Sequence, residues 1–237
     1  MDVEYTAGGK RFVGYLAVDR NVTGKRPGVL IAPEGGGLVE TSRQRARDLA
    51  ALGYVAFAAD YHGDGRVLES MQDMMARLSV LRADPTEIRT IMHAALGVLV
   101  SQPETDAARI GAIGYCYGGT AVLELARSGA DVACTVGFHS GLATTRPQDA
   151  AQIKGKVLVC IGADDPLIPA AERAAFEEEM RAAKLDWRMY LFGNAVHGFA
   201  NPDADRLGIA AVRYHAPTHQ RSWRAMRDLF DETFGAR

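Results

Sequence analysis

The chain has 237 residues, of which 48% are hydrophobic and 24% charged, with a formal net charge of −2. This is the composition of a globular protein. The near-neutral net charge gives no indication of nucleic acid or membrane binding. No apolar run is long enough to span a bilayer, and the first residues lack the features of a signal peptide. Three scattered cysteines are too few for a disulfide framework or a zinc site, so we expect a reduced, cytoplasmic setting.

The chain begins with a predicted β-hairpin and continues with apolar strands that alternate with helices. Residues 3–7 and 11–18 alternate in polarity around two glycines, which predicts the hairpin. Thr41 and Gln44 have the spacing of a capping box, which predicts the start of a helix at about residue 42. The later strands are predicted at 27–33, 54–59, 109–113, 132–138, 156–161 and 187–192, and the later helices at 69–82, 84–99, 120–126, 169–183 and 216–234.

This alternation predicts an α/β protein with a mostly parallel, doubly wound sheet, opened by an antiparallel hairpin. Neither a repeat nor a linker interrupts residues 1–237, so we expect a single domain. Ligands bind such sheets at the carboxyl ends of the strands. The loops of interest are therefore those after Ala32, Ala59, Gly114, Phe138, Ile161 and Phe192.

The most informative of these loops contains Cys116. It has the sequence Gly-Tyr-Cys-Tyr-Gly-Gly from Gly114 to Gly119, between a predicted strand and a predicted helix. A nucleophile between glycines at such a junction is typical of a nucleophile elbow, in which the turn is too sharp for neighbouring side chains. The helix N-terminus favours the thiolate, so we predict that Cys116 is a nucleophile. Cys134 and Cys160 lie in apolar runs and are predicted to be core residues.

Two further loops supply an acid and a base. Asp164 and Asp165 follow the strand that ends near Ile161, and His197 follows the strand that ends at Phe192. The chain order of Cys116, Asp165 and His197 is that of the α/β-hydrolase triad. In this arrangement the histidine exchanges a proton with the nucleophile and leaving group, and the aspartate fixes its tautomer. The backbone N–H groups of Tyr117 and Gly35 are the expected oxyanion hole.

The chain resembles the dienelactone hydrolases (carboxymethylenebutenolidases). The resemblance rests on Glu34, the motif around Cys116, the run Gly-Ala-Asp-Asp-Pro-Leu-Ile-Pro from Gly162, and His-Gly-Phe from His197. It covers nearly the whole chain, and the cysteine in the elbow is its most specific mark. It implies an α/β-hydrolase fold, Asp165 rather than Asp164 as the acid, and a role for Glu34 beside the resting cysteine.

One position departs from the family pattern. The family has an arginine four residues after the catalytic histidine, which binds the substrate carboxylate, and this chain has Asn201 there. A second family arginine comes from a helical region in which this chain has Arg77 and Arg82. Other candidates for the substrate pocket are His62, His139 and Phe199.

These features predict a hydrolase of small-molecule esters or lactones with a Cys-His-Asp triad and no metal or organic cofactor. A thioesterase or small peptide hydrolase with the same triad remains an alternative, as does a ligand-binding protein of this fold without turnover. Glu34 is expected to raise the pKa of the Cys116 thiol and so keep the resting cysteine protonated. Nothing in the sequence specifies an oligomeric state.

Overall fold

The computed structural model describes residues 1–235, and its eight strands form one continuous sheet in the order β1-β2-β4-β3-β5-β6-β7-β8. The strands are Asp2–Ala7 (β1), Lys10–Ala17 (β2), Arg26–Ala32 (β3), Val55–Ala58 (β4), Thr105–Tyr115 (β5), Cys134–Phe138 (β6), Lys156–Gly162 (β7) and Trp187–Phe192 (β8). Strands β3 to β8 run parallel, whereas β1 and β2 are antiparallel at one edge. The predicted hairpin and parallel sheet are confirmed.

Helices cover both faces of the sheet. They are Glu40–Ala51 (α1), Met71–Ala83 (α2), Thr86–Val100 (α3), Tyr117–Arg127 (α4), Ala170–Ala182 (α5) and Ala216–Phe234 (α6), with short 3-10 helices at Pro147–Gln152 and Ala204–Leu207. The apolar sides of α1 and α6 pack on one face, and those of α2 to α5 pack on the other. No helix within residues 1–235 is long and apolar enough to cross a membrane.

The central strands are buried on both faces of the sheet, so polar functional residues are expected in the loops that follow them. Every residue of β3 and β4 is buried, because helices cover both faces of the sheet there. The parallel strands also end at one edge, where the loops after β3, β5, β6, β7 and β8 lie side by side. The fold therefore gathers at this edge residues that lie far apart in the sequence.

The predicted capping box at the start of α1 is wrong. The helix begins at Glu40, and its N-cap residue, Val39, makes no side-chain capping bond. The Thr41 hydroxyl instead donates to Asp203 Oδ2 at 3.3 Å, and the Gln44 amide donates to Asp48. The hydroxyl thus donates to a carboxylate from a distant loop instead of accepting a backbone N–H of its own helix, and a pattern within one helix does not show this partner.

Candidate active site

Cys116 lies in a strained turn between β5 and α4. Its backbone has φ 54° and ψ −122°, a conformation that L-residues rarely adopt. It is the N-cap residue of α4, so its side chain stands where the first N–H groups of the helix are free. This is the geometry of a nucleophile elbow, as the sequence predicts.

The glycines around Cys116 are required by close contacts with neighbouring backbone and with Ser140. A Cβ atom on Gly114 would lie 2.1 Å from the Gly118 oxygen, and one on Gly118 would lie 2.2 Å from the Ala32 oxygen. A Cβ on Gly119 would lie 1.9 Å from Ser140 Oγ. The start of α4 is therefore pressed against β3 and the loop after β6, which fixes the position of Cys116.

His197 and Asp165 form a buried hydrogen-bonded pair. The His197 Nδ1 atom lies 2.8 Å from Asp165 Oδ2, and Asp165 Oδ1 accepts the Leu167 N–H at 2.8 Å. The Asp165 side chain is fully buried and that of His197 is 7% exposed. The second ring nitrogen, Nε2, has no hydrogen-bond partner among the described residues. A histidine held at Nδ1 and free at Nε2 is arranged to exchange a proton at Nε2.

Cys116 and His197 lie close enough to shift each other's ionisation. Burial is the largest single effect and raises the pKa of the Cys116 thiol, but the charge and hydrogen bond of His197, with the Tyr117 N–H, together lower that pKa below its usual value. Burial would likewise lower the pKa of His197, yet the Cys116 charge and the Asp165 hydrogen bond raise it above its usual value. Both shifts favour a thiolate–imidazolium pair.

The two backbone N–H groups predicted to form the oxyanion hole belong to Tyr117 and Gly35, and that role stays a prediction. Tyr117 is the first residue of α4, and its N–H is directed at Cys116, whose thiolate it stabilises. The Gly35 N–H makes no hydrogen bond within residues 1–235. The loop that carries Gly35 is fixed from the other side, because its carbonyl oxygen lies 2.9 Å from His62 Nε2.

The Glu34 carboxylate is bonded to two side chains of other elements. Oε2 accepts the Asn201 amide at 2.6 Å, and Oε1 lies 3.3 Å from Arg45 Nη2. Among the described residues, Glu34 makes no hydrogen bond to Cys116. The charge of Glu34 raises the pKa of the thiol, in the predicted direction. The net shift is nevertheless downward, because the effects of His197 on the thiol pKa are larger than that of Glu34. That Glu34 keeps the resting cysteine protonated stays a prediction.

Comparisons with known proteins agree with this geometry. A family model described as "Dienelactone hydrolase family" matches residues 12–234. The chain belongs to the dienelactone hydrolase family. Members of this family hydrolyse ester or lactone bonds and have the α/β-hydrolase fold, as the sequence resemblance implies.

Solved structures and a curated relative place the chain within this family. A structure named m3DLH has 48% identity and a TM-score of 0.96, with 98% of this chain and 97% of that chain covered. The structure of P91, described as a dienelactone hydrolase-like promiscuous phosphotriesterase from metagenomic libraries, has 42% identity, a TM-score of 0.95 and the same coverage. A Bradyrhizobium protein named "probable 2-oxo-3-(5-oxofuran-2-ylidene)propanoate lactonase" is 28% identical, with 83% of this chain and 82% of that protein covered.

Within this family member, the two arginines predicted for the pocket differ in their availability. The Arg77 guanidinium is bound to Glu87 at 3.0 Å and also donates to the Tyr61 carbonyl oxygen at 3.3 Å. Arg82 is exposed, and its guanidinium lies 5.3 Å from the centre of the Tyr117 ring. The Arg82 guanidinium thus lies against a residue of the elbow, whereas the Arg77 guanidinium is already bound to Glu87. Substrate binding by either arginine stays a prediction.

The other predicted pocket residues lie behind the catalytic candidates. The fully buried His139 ring packs edge to face against His197, with 5.0 Å between ring centres, and against the fully buried Phe199 at 5.1 Å. His62 lies below the Gly35 loop and is also buried. All three therefore support the site from the protein interior, and substrate contact by any of them stays a prediction.

Sequence reasoning missed Arg45 as a residue of this dienelactone hydrolase-like site. Arg45 is buried in α1, with its guanidinium 3.5 Å from the centre of the Tyr115 ring and 3.0 Å from the Ala200 oxygen. A signal was present, because Arg45 is four residues from Leu49 and so shares the apolar face of the helix. A buried charge on an apolar helix face needs an oppositely charged partner, which here is the partly buried Glu34.

Proposed function

We propose that this protein hydrolyses esters or lactones of small molecules through Cys116, His197 and Asp165. The observation that carries the proposal is the juxtaposition of a cysteine in a strained elbow with a buried histidine whose Nδ1 is bonded to Asp165 and whose Nε2 is free. Cys116 is the group whose charge and hydrogen bond act on the His197 ring besides Asp165. This arrangement suits the exchange of a proton between His197 and Cys116.

The proposed reaction proceeds through an acyl-enzyme. Cys116 Sγ attacks the carbonyl carbon, and the carbonyl electrons move to its oxygen, which the N–H groups of Tyr117 and Gly35 stabilise. The intermediate collapses with cleavage of the C–O bond, and the leaving alcohol takes a proton from His197. Water then gives a proton to His197 and attacks the thioester, which releases the acid and restores Sγ. The sum is one ester and one water converted to one acid and one alcohol.

The first test compares p-nitrophenyl acetate hydrolysis by the wild type and by Cys116→Ala. We expect the variant to lose hydrolysis while it keeps the thermal stability of the wild type within a few degrees. Cys134→Ala is the matched control, because Cys134 is fully buried in β6 and is expected to affect stability without loss of turnover. Turnover retained by Cys116→Ala would contradict the proposed nucleophile, whereas no turnover above the buffer rate by the wild type would favour a ligand-binding protein.

A comparison of substrates separates the alternatives that use the same triad. The ratio of kcat/KM values for an oxygen ester, a thioester and an anilide of one acyl group measures the preference of the leaving-group site. We expect the oxygen ester or lactone to be preferred over the anilide. A preference for the thioester or the anilide would assign the triad to a thioesterase or peptide hydrolase instead.

A second candidate activity is the hydrolysis of uncharged phosphotriesters. It is supported by the 42% identity to P91, whose description names a promiscuous phosphotriesterase, and by Asn201, which provides no cation for an anionic substrate. In this reaction Sγ attacks phosphorus, the phosphoryl oxygen occupies the oxyanion hole, and an aryloxide leaves before water cleaves the P–S bond. Release of p-nitrophenol from a diethyl aryl phosphate, lost in Cys116→Ala, is the expected result. No release above the buffer rate would exclude it.

A further inference from the structure

The loop after β3 is held through its carbonyl oxygens. The main-chain oxygens of Glu34, Gly35 and Gly36 each accept a hydrogen bond. The N–H groups of Gly35 and Gly36 make no hydrogen bond within residues 1–235. Two consecutive peptide groups of this loop therefore have their acceptors engaged and their donors free, and the donor of Gly35 is the one predicted for the oxyanion hole.

Tyr61 and His62, which follow β4, supply two of the bonds to this loop. The Tyr61 hydroxyl bonds the Glu34 carbonyl oxygen, which is the nearer of its two acceptors, and the Pro33 oxygen lies 3.2 Å from the same hydroxyl. His62 Nε2 lies 2.9 Å from the Gly35 oxygen, and this nitrogen carries a proton because a carbonyl oxygen only accepts. Burial raises the pKa of Tyr61 well above its usual value and lowers that of His62, so both side chains are neutral at pH 7.

The planar peptide group transmits these bonds to the N–H groups. In a trans peptide the C=O and the N–H point in opposite directions, and the bonds of this loop are trans. The bond to the Glu34 oxygen thus sets the direction of the Gly35 N–H, and the bond to the Gly35 oxygen sets that of the Gly36 N–H. Both N–H groups point away from the side chains that follow β4.

Bonds within the loop do not fix its orientation relative to Cys116. The Gly37 N–H also donates to the Glu34 oxygen at 2.9 Å, but this bond joins two residues of the same turn. It determines the shape of the turn and leaves the turn free to move as a unit. The bonds from outside the turn are those of Tyr61 and His62 and that of the Leu68 N–H, which donates to the Gly36 oxygen at 2.9 Å.

The segment that contains Tyr61 and His62 is itself fixed by Asp60. The fully buried Asp60 carboxylate accepts four backbone N–H groups at 2.8–3.1 Å, those of Val13, His62, Gly63 and Gly65. Hydrogen bonds to an ionised carboxylate are stronger than those between neutral groups. Tyr61 and His62 therefore hold the loop after β3 from a rigid base.

We propose that Tyr61 and His62 are positioning residues for the oxyanion hole. They bind the carbonyl side of two consecutive peptide groups and so direct the Gly35 N–H at the oxygen of the substrate carbonyl. The inference rests on the proposed function of Cys116 and on the proposed role of Gly35. It gives His62 a role through the main chain that needs no contact with substrate.

The first test compares the wild type with Tyr61→Phe, which keeps the ring and removes the hydroxyl. Loss of one oxyanion donor costs about 10²- to 10³-fold in kcat, and a donor that is loosened rather than lost should cost about 10- to 100-fold. Acylation and deacylation both pass through a tetrahedral oxyanion, so both steps should slow and KM for p-nitrophenyl acetate should stay within about threefold.

Alkylation of Cys116 by iodoacetamide separates this effect from a change in the thiol. The displacement takes place at a saturated carbon and forms no oxyanion, and Cys134 and Cys160 are fully buried. We therefore expect Tyr61→Phe to be labelled within about twofold of the wild-type rate at each pH, because the fraction of thiolate is unchanged. Labelling that slows in parallel with turnover would show a disturbed cysteine and would overturn the proposal.

Tyr5→Phe is the matched control for the loss of a buried hydroxyl. The Tyr5 hydroxyl bonds the Asp60 carbonyl oxygen, so this variant also loses a bond between a buried tyrosine and the main chain. The Asp60 carboxylate keeps its four bonds, and the loop after β3 is untouched. We expect a similar loss of thermal stability and wild-type turnover. An equal loss of kcat in both variants, or wild-type kcat in folded Tyr61→Phe, would overturn the proposal.

His62 provides a second pair of variants, which also serves if Tyr61→Phe does not fold. A glutamine places its amide nitrogen as far along the side chain as His Nε2 and can donate to the Gly35 oxygen, whereas a leucine cannot. His62→Leu should lower kcat as Tyr61→Phe does, and His62→Gln should recover most of that loss. Equal kcat values for His62→Leu and His62→Gln would contradict a role through this hydrogen bond.

A trifluoromethyl ketone distinguishes this proposal from the function on which it rests. Cys116 Sγ adds to the carbonyl carbon of 1,1,1-trifluoroacetone, the C=O electron pair becomes the oxyanion, and the thiol proton goes to His197, so the adduct needs no turnover. Its dissociation constant is measured by fluorine NMR. Weaker binding by Tyr61→Phe without ester hydrolysis by the wild type would retain the positioning role and remove the hydrolase assignment. Ester hydrolysis with equal binding by both proteins would do the reverse, and no adduct with the wild type would overturn both.

Discussion

Asp165→Asn is the substitution whose effect the geometry defines most closely. Asp165 Oδ2 lies 2.8 Å from His197 Nδ1, and Oδ1 accepts the Leu167 N–H at 2.8 Å. An asparagine that keeps its oxygen on Leu167 must present its NH2 group to Nδ1. That group can only donate, so Nδ1 must become the acceptor and the ring proton must move to Nε2. His197 then has no lone pair with which to take a proton from Cys116.

Two magnitudes bracket the expected loss. A charge-assisted hydrogen bond contributes about 1.5–3 kcal/mol, which corresponds to roughly a 10- to 150-fold loss of rate. Enforcement of the wrong tautomer costs about 10⁴-fold in a serine triad, or about 5 kcal/mol. The Leu167 N–H selects the orientation of the asparagine, so we expect the wrong His197 tautomer to be the larger of the two effects. The loss in kcat should therefore exceed about 10³-fold.

The measurement is kcat and KM for p-nitrophenyl acetate, with Asp164→Asn as the matched control. Asp164 is exposed and precedes Asp165 directly, so its substitution changes the same loop and the same formal charge. We expect the control to stay within about threefold of the wild type. A loss of less than tenfold in Asp165→Asn, or a larger loss in Asp164→Asn, would refute the assignment of Asp165 as the partner of His197.

Three further outcomes follow from the same geometry. In Glu34→Gln, Cys116 should react with iodoacetamide at lower pH than in the wild type, because the charge of Glu34 raises its pKa; slower or unchanged labelling would remove Glu34 from the control of the thiol. A neutral ester and its carboxylated analogue should differ by less than tenfold in kcat/KM, because Asn201 is bound to Glu34; a preference for the anion above about 3 kcal/mol would require another cation. Gly118→Ala should lower the free energy of unfolding by at least about 1–3 kcal/mol, because its Cβ would overlap the backbone of β3. Gly193→Ala, which has open space around it, is the control in urea unfolding, and equal losses in both would contradict the packing argument.

The sequence by itself determined the elements and the chemistry that is local to them. Continuous apolar runs predict strands buried on both faces, and the glycines around Cys116 predict a sharp turn. The contact of Gly114 with Gly118 is local to this turn, whereas Gly118 and Gly119 are also restricted by β3 and Ser140. The meeting of Cys116, Asp165 and His197 was predictable too. Parallel strands end at one edge of a sheet, so three loops that follow such strands are brought together by topology alone.

The tertiary structure decided which polar groups became partners. Thr41 donates to Asp203 rather than capping its own helix, and Glu34 is bonded to Arg45 and Asn201 rather than to Cys116. Each of these bonds joins side chains from different loops and helices, and small shifts of those elements select one acceptor over another within a few ångströms. The balance of charge at Cys116 has the same origin, because burial, His197 and Glu34 act on it with opposite signs. Only the distances in the folded chain determine which of them prevails.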